Sequence, residues 1–214
     1  ALVFKGISTH PGHVYSATKP EDIPKYVTDE KIAIKKAVIA LKAAGYKLEL
    51  ITSGATPTFT GSLTDENINV LHPGNYVFND NFQLSTKIAQ ATECALSVFT
   101  TIISNPCQER FICDAGAKCL GLDQGAHGNT SIKGYGYIKE HPEITISSLS
   151  EEVGKLHIEG NSKLKVGDRI EIIPNHACSA ANLTSYLIGC RGNRVEKTIQ
   201  INMRGNSTKK GCDF

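Results

Sequence analysis

The sequence predicts an α/β region followed by an all-β region: the last units of a (β/α)8 barrel over residues 1–93, then a C-terminal β domain over residues 94–214. Three observations support this fold class. Short apolar segments in the first region are each followed by a polar loop, the usual place for functional groups in parallel α/β folds. One longer segment between them has helical periodicity. After about residue 94 the chain changes to short β-rich segments separated by glycine, asparagine and proline.

The first region alternates predicted strands with polar loops and one helix. An apolar stripe at helical spacing predicts a helix within residues 21–45, and Gly45 stands where a C-terminal cap belongs. The stripe consists of Ile34, Val38, Leu41 and Ala44. The predicted strands of this region are residues 2–8, 47–52 and 67–71. Three such units make only part of a barrel, and the chain begins inside a predicted strand without an initiator methionine. We therefore expect it to be part of a longer protein.

The second region is predicted to be an all-β domain, and its sequence contains no internal repeats. Its apolar and β-branched residues occur in short runs that are typical of strands, and glycine, asparagine and proline separate them. The predicted strands are residues 95–104, 110–114, 133–139, 143–147, 155–159, 169–173, 183–190 and 194–201.

The composition excludes several classes of function. A net charge of +2 gives no sign of a surface for nucleic acid or for an acidic membrane. No run of about 18 apolar residues is present, so no membrane span is predicted. The seven cysteines are odd in number and form no C-x-x-C motif. They favour reduced thiols in the cytoplasm over a disulfide framework.

A histidine and a cysteine follow the most regular strand pattern of the second region. Pro174 is expected to end the strand of residues 169–173, because proline has no N–H for the ladder. If the backbone stays extended, His176 and Cys178 point to the same side and close on one ion. An imidazole and a thiolate suit zinc, and two protein ligands leave positions for water or substrate. A cysteine that only fills the core is the alternative interpretation of this motif.

Two loops of the first region predict a phosphate site. Ser53, Gly54 and Thr56 follow a predicted strand, and backbone N–H groups at such a turn bind anions. Gly74 and Asn75 follow the next strand, and a glycine lets the backbone approach a ligand closely. Each turn alone is equally compatible with an ordinary loop. Neither G-x-G-x-x-G nor G-x-x-x-x-G-K-[ST] occurs, so nucleotide binding is disfavoured.

Four ordered segments of the chain resemble one enzyme family. The chain is similar throughout its length to eukaryotic-type D-serine dehydratase and its relative D-threonine aldolase, fold-type III pyridoxal phosphate enzymes related to alanine racemase. The loop of residues 6–15 also matches that family's G-x-x-x-H-x-G-H-x-Y segment. The four segments are residues 53–58 (SGATPT), 72–80 (HPGNYVFND), 114–118 (DAGAK) and 174–183 (PNHACSAANL).

The resemblance implies roles for eight residues of this chain. Ser53, Gly54, Thr56, Gly74 and Asn75 would bind the cofactor phosphate. Tyr15 would lie beside cofactor or substrate, and His176 and Cys178 would bind zinc, with His176 also near the substrate. The resemblance further implies a homodimer, with a separate N-terminal piece of chain as a further expected partner.

One departure from the family pattern concerns the Schiff-base lysine. In the family this lysine lies in the first barrel units, which this chain does not include. Lys118 does not match it by motif, since it lies in the DAGAK segment of the β domain. The chain alone is therefore expected to be inactive. A lesser departure is His72, which stands where the family commonly has arginine.

The resemblance implies a lyase that converts D-serine to pyruvate and ammonia by β-elimination. The His-x-Cys pair favours this dehydratase, because the aldolase relatives usually carry a carboxylate at the second position, which suits harder ions such as manganese. D-threonine aldolase is the alternative within the family. A non-catalytic remnant that binds phosphate or metal is the alternative of another class, and the missing lysine is its only support.

Overall fold

The computed structural model of the chain describes residues 2–124 and 131–202. These residues form two compact units. The first runs to Ala95 and includes Ser131 and Ile132, and the second comprises Leu96–Gln124 and the chain from Lys133 onward. The first unit thus ends close to the boundary that the sequence predicts after residue 93.

The first unit is built on a three-stranded parallel sheet in the order β1-β2-β3. Helix α1 connects β1 to β2, which makes the β-α-β unit from which (β/α)8 barrels are built. Two shorter helices, α2 and α3, follow the second and third strands. The elements are β1 Gly6–Thr9, α1 Ile23–Ala43, β2 Leu50–Ser53, α2 Phe59–Ser62, β3 Val70–Leu71 and α3 Asn81–Ser85.

Helix α1 follows the predicted apolar stripe and ends at the predicted glycine. Ile34 and Val38 are buried against Ile51 of β2, and they form the core between helix and sheet. Gly45 has φ +86°, a left-handed conformation that glycine adopts at low cost. The N–H of Tyr46 donates to the carbonyl of Leu41, as in a Schellman motif. Local sequence therefore determines both the face and the end of this helix.

The second unit is an antiparallel six-stranded sheet in the order β6-β9-β4-β5-β8-β7, with a separate hairpin of β10 and β11. Its core is formed by aliphatic residues of the sheet and Phe111. The strands are β4 Val98–Cys107, β5 Arg110–Cys113, β6 Tyr137–Ile138, β7 Ile144–Leu149, β8 Gly154–Ile158, β9 Arg169–Ile173, β10 Tyr186–Arg191 and β11 Arg194–Gln200. The helices are α4 Ala117–Leu120 and α5 Ala177–Asn182.

The predicted fold class, α/β followed by all-β, is confirmed. Strand β9 ends directly before Pro174, as the missing N–H of proline requires. Across the described residues, no helix combines the length and apolar character that crossing a membrane would require.

One local prediction is wrong. The backbone does not stay extended through His176 and Cys178, because Ala177–Asn182 forms helix α5. His176 is the residue before the helix, with φ −138° and ψ 103°, and Cys178 lies in its first turn. Residues two apart on a helix do not share a face, so the alternation of side chains in a strand cannot pair these two groups.

Candidate functional site

The turn after β2, residues 54–58, contains two buried hydroxyl groups without a hydrogen-bond partner among the described residues, and we call it the anion turn. Thr56–Thr58 form a 3-10 turn that leads directly into α2. The Oγ1 atoms of Thr56 and Thr58 are buried and accept or donate no hydrogen bond within the described chain. A buried hydroxyl without a partner costs about 1–3 kcal/mol, so such atoms indicate where a ligand would bond.

Ser53, which the sequence assigned to the phosphate, uses its hydroxyl elsewhere. Its Oγ–H donates to the carboxylate of Glu30 on α1, and both residues are buried. A serine hydroxyl has one proton, and an ionised carboxylate only accepts. The backbone N–H of Ser53 lies on the side of β2 that pairs with β3, where Ser53 stands opposite Leu71, so a contribution of Ser53 to an anion site would be to hold the turn in place.

Gly54 and Gly74 differ in what surrounds them. A Cβ on Gly54 would overlap the His72 ring and lie 2.6 Å from the His72 carbonyl oxygen. The residue that packs closely against the backbone of Gly54 is thus His72, which follows the neighbouring strand β3. A Cβ on Gly74 would meet nothing within 4 Å, so the space beside that backbone is open.

His72 and two hydroxyl groups form a polar cluster at the carboxyl ends of the three parallel strands. The Nε2 atom of His72 lies 3.1 Å from Thr52 Oγ1 and 3.4 Å from Ser8 Oγ. The hydroxyl of Thr52 donates to Ser8 over 2.8 Å. Because His72 packs against Gly54, this cluster lies next to the anion turn.

Asn75 is held in one orientation by a buried carboxylate. Its Nδ2 donates to Asp80 over 2.6 Å and to Gln83 Oε1 over 3.3 Å. Because a carboxylate only accepts, Asp80 determines which side of the amide carries the nitrogen. The Oδ1 of Asn75 is buried without a partner in the described chain, so this side chain offers an acceptor, and a phosphate contact would come from backbone N–H.

Tyr15 lies in a buried cluster next to the anion turn. It is 9% exposed and packs with Ala55 of that turn and with Phe82, whose ring centroid is 5.0 Å away. His10, from the same loop, donates through Nδ1 to the carbonyl of Gly54. That bond leaves Nε2 of a neutral His10 as an acceptor. A hydrogen bond from His10 therefore links the loop before α1 to the anion turn.

The second unit contains the predicted metal ligands. His176 is half-buried, and its Nδ1 lies 3.6 Å from a carboxylate oxygen of Asp123 and 3.2 Å from Ser179 Oγ. Asn175 donates to the backbone carbonyls of Asp123 and Gly134, each over 2.8 Å, and so holds the loops beside His176. Cys178 is exposed.

These donors fit a metal bound by two protein ligands. In the parts of the chain that the structure describes, no three His, Cys, Asp or Glu side chains lie close enough together to hold an ion. A carboxylate and a hydroxyl lie beside Nδ1 of His176, and such partners are common at metal-binding histidines, where they orient the ring. Nitrogen and sulfur donors are those that zinc prefers.

The anion turn fits a phosphate group. Its two unpartnered hydroxyls, from Thr56 and Thr58, would each gain a hydrogen bond from such an anion. Sequence reasoning missed Thr58 and also Glu30. A signal for Glu30 was present, since it lies four residues before Ile34, in line with the apolar stripe of α1. A carboxylate at that spacing is expected to be buried.

A family model and several known proteins match the chain. The family model "Putative serine dehydratase domain" matches residues 95–190. D-serine dehydratase of Dictyostelium discoideum is 30% identical over 213 residues, which are 93% of this chain and 54% of that protein. D-threonine aldolase of an Arthrobacter species is 26% identical over 208 residues, 95% of this chain and 52% of that protein. The chain spans about half the length of these curated relatives.

Solved structures agree in fold. D-threo-3-hydroxyaspartate dehydratase of Delftia, as a cysteine-to-alanine mutant in the metal-free form, superposes with a TM-score of 0.81 at 25% identity. The match covers 92% of this chain and 55% of that one. The chain is thus similar over nearly its whole length to D-serine dehydratases and their D-threonine aldolase relatives.

Proposed function

We propose that the full-length protein dehydrates D-serine to pyruvate and ammonia, as a lyase that depends on pyridoxal 5'-phosphate and zinc. The observation that carries this proposal is the 30% identity with a D-serine dehydratase across 93% of the chain. The chain itself would supply the phosphate site, one wall of the cofactor site and the metal ligands.

The anion turn would hold the phosphate of the cofactor. Thr56 and Thr58 would donate their hydroxyl protons, and the backbone of Gly54, Gly74 and Asn75 would supply N–H groups, with Ser53 holding the turn in place. Tyr15, fixed against Ala55 and Phe82, would lie beside cofactor or substrate. Pyridoxal phosphate supplies an electron sink at the α-carbon of the substrate when it is bound.

His176 and Cys178 would bind the metal, and His176 would also lie near the substrate. The carboxylate of Asp123, 3.6 Å from Nδ1 of His176, would orient the imidazole at the metal site. The metal-free state of a cysteine-to-alanine mutant in a related dehydratase supports a cysteine ligand. Zinc at this position supplies a Lewis acid for the β-hydroxyl, which is otherwise a poor leaving group.

D-threonine aldolase activity is the second candidate, because a D-threonine aldolase is 26% identical over 95% of the chain. The thiol of Cys178 favours the dehydratase, since a soft donor suits zinc better than manganese. We also propose a cytoplasmic homodimer, which the cysteine pattern and the family resemblance support.

The substitution Cys178→Ala in the full-length protein tests this proposal. We expect it to lose bound zinc and to lower pyruvate formation from D-serine by at least about tenfold, because removing support from a metal site commonly costs 10–100-fold. Cys190→Ala is the matched control, since Cys190 is an exposed cysteine of the hairpin. If Cys178→Ala keeps both its zinc and its rate, Cys178 is not a ligand. If the parent protein forms glycine and acetaldehyde from D-threonine but no pyruvate from D-serine, the aldolase is the correct assignment.

A further inference from the structure

Glu30 is a buried carboxylate in the middle of helix α1. It is 4% exposed, and both of its oxygens accept hydrogen bonds from serine hydroxyls. Ser53 donates to Oε1, and Ser62 Oγ lies 3.0 Å from Oε2, with its one proton shared between Oε2 and the carbonyl oxygen of Thr58. A buried carboxylate is costly unless such bonds satisfy it, so this position has a specific role in the fold.

The two serines stand on either side of the anion turn. Ser53 is the last residue of β2 and Ser62 is the last residue of α2. The hydroxyl of Ser62 also lies 3.0 Å from the carbonyl oxygen of Thr58, inside the turn. Glu30 therefore ties both ends of the segment that carries the unpartnered hydroxyls of Thr56 and Thr58 to one rigid helix.

We propose that Glu30 is the positioning residue of the anion turn: by accepting from Ser53 and Ser62, it fixes the place and direction of the Thr56 and Thr58 hydroxyls. The inference rests on the proposed phosphate site. It assigns to α1 a role in ligand affinity through residues that Glu30 itself contacts, without contact between Glu30 and the ligand.

Glu30 cannot assist phosphate binding by electrostatic attraction, so its proposed role is to position the turn. A carboxylate has the same sign as a phosphate, so its charge disfavours binding of the anion. Any benefit must come from its two acceptor positions. Glutamine has the same shape and keeps one acceptor oxygen. Its Nε2 would donate to the second serine oxygen, so that hydrogen bond would persist with its direction reversed. Glu30→Gln therefore preserves the tie, and Glu30→Ala removes it.

The test compares pyridoxal 5'-phosphate with pyridoxal, which lacks the phosphate, as ligands of the full-length protein. The ratio of the two dissociation constants isolates the phosphate contact from general damage to the site. We expect Glu30→Ala to weaken pyridoxal phosphate binding by about tenfold with pyridoxal affinity within about twofold of the parent. Glu30→Gln should stay within about threefold of the parent for both ligands.

Two further variants complete the test. Asp29→Ala removes an exposed carboxylate from the adjacent position of α1 and should leave the ratio unchanged. Ser62→Ala removes one of the two ties at a milder cost, and we expect an intermediate loss of about threefold, which serves if Glu30→Ala does not fold.

The outcomes separate the inference from the proposed function. A parent protein that binds both ligands equally has no phosphate site in this turn, which overturns the site and the inference together. A parent ratio retained in Glu30→Ala, or in Ser62→Ala where the former is unfolded, overturns the inference and leaves the proposed function standing. Tighter phosphate binding in Glu30→Gln and Glu30→Ala alike would show that repulsion by the charge outweighs any positioning.

Discussion

At the scale of single residues, the buried hydroxyls near the anion turn differ in whether another residue already accepts their hydrogen bond. Ser53 and Thr58 are both buried hydroxyl residues at the anion turn, but only Thr58 lacks a partner in the described structure. The hydroxyl of Ser53 donates its hydrogen bond to Glu30, which lies 23 positions away in sequence. Residue type and spacing predicted the turn, and the tertiary partner decided which hydroxyl is available.

The substitutions Gly54→Ala and Gly74→Ala test what each glycine does. At Gly54 the new methyl group would overlap the His72 ring, so we expect the free energy of unfolding to fall by about 1–3 kcal/mol. At Gly74 the methyl group meets nothing within 4 Å, and φ is −103°, so the free energy of unfolding should change by less than about 0.5 kcal/mol.

Chemical denaturation followed by circular dichroism measures both variants under the same conditions, and each serves as the control for the other. A stable Gly54→Ala protein would contradict the close packing of His72 on Gly54. If Gly74→Ala is stable but binds pyridoxal phosphate more weakly than the parent, Gly74 serves the ligand and not the fold.

At the scale of elements, helices α1 and α5 position the residues of the two candidate sites. The periodicity of α1 was visible in sequence, and its buried stripe brings Glu30 to the anion turn. Helix α5 was not predicted, although alanine occupies three of its six positions and favours helix. The strand pattern before Pro174 had suggested that the extended backbone would continue. His176 and Cys178 consequently approach any common ligand from the start of a helix, and not from one face of a strand.

The sheet of the second unit contains an ion pair whose contribution depends on pH. Glu171 on β9 accepts from Lys139 and Ser97, each over 2.6 Å. Burial raises the pKa of Glu171, but the hydrogen bonds from Lys139 and Ser97 outweigh it, so the pKa lies below its ordinary value. A lowered pKa means that the folded state favours the ionised carboxylate. The stabilisation is therefore present at neutral pH and is lost as the pH falls through the lowered pKa of Glu171.

Urea unfolding of the parent and of Glu171→Gln at pH 7 and at pH 2 tests this expectation. The variant should be less stable than the parent at neutral pH, and the difference between the two should shrink in acid, because the parent carboxyl becomes protonated as the pH falls below its lowered pKa. Glu159→Gln, at an exposed position, is the matched control. A constant difference between parent and Glu171→Gln at both pH values would show that the charge of Glu171 is not involved.

At the scale of the whole molecule, the sequence predicted both the α/β and the all-β part and most of the strands. Strand β9 was predicted at its observed limits because alternation and a terminal proline are local signals. Strand β1 was predicted over residues 2–8 but spans Gly6–Thr9. Leu2 and Val3 are exposed, since pairing with β2 begins only at Gly6. Where pairing begins is a property of the neighbouring strand, which propensity does not include.

The candidate sites divide in the same way. The turns at Gly54 and Gly74 and the His-x-Cys pair were visible as motifs. The serine partners of Glu30 and the carboxylate of Asp123 beside His176 depend on contacts distant in sequence. Such contacts arise only once the chain is folded.

We propose that the full-length protein dehydrates D-serine with the assistance of a metal ion. The most direct measurement is pyruvate release from D-serine by the full-length protein before chelation, after chelation and after zinc is added back. We predict that activity is lost on chelation and recovers with zinc. Pyruvate release that persists at the same rate after the metal has been removed would contradict the claim.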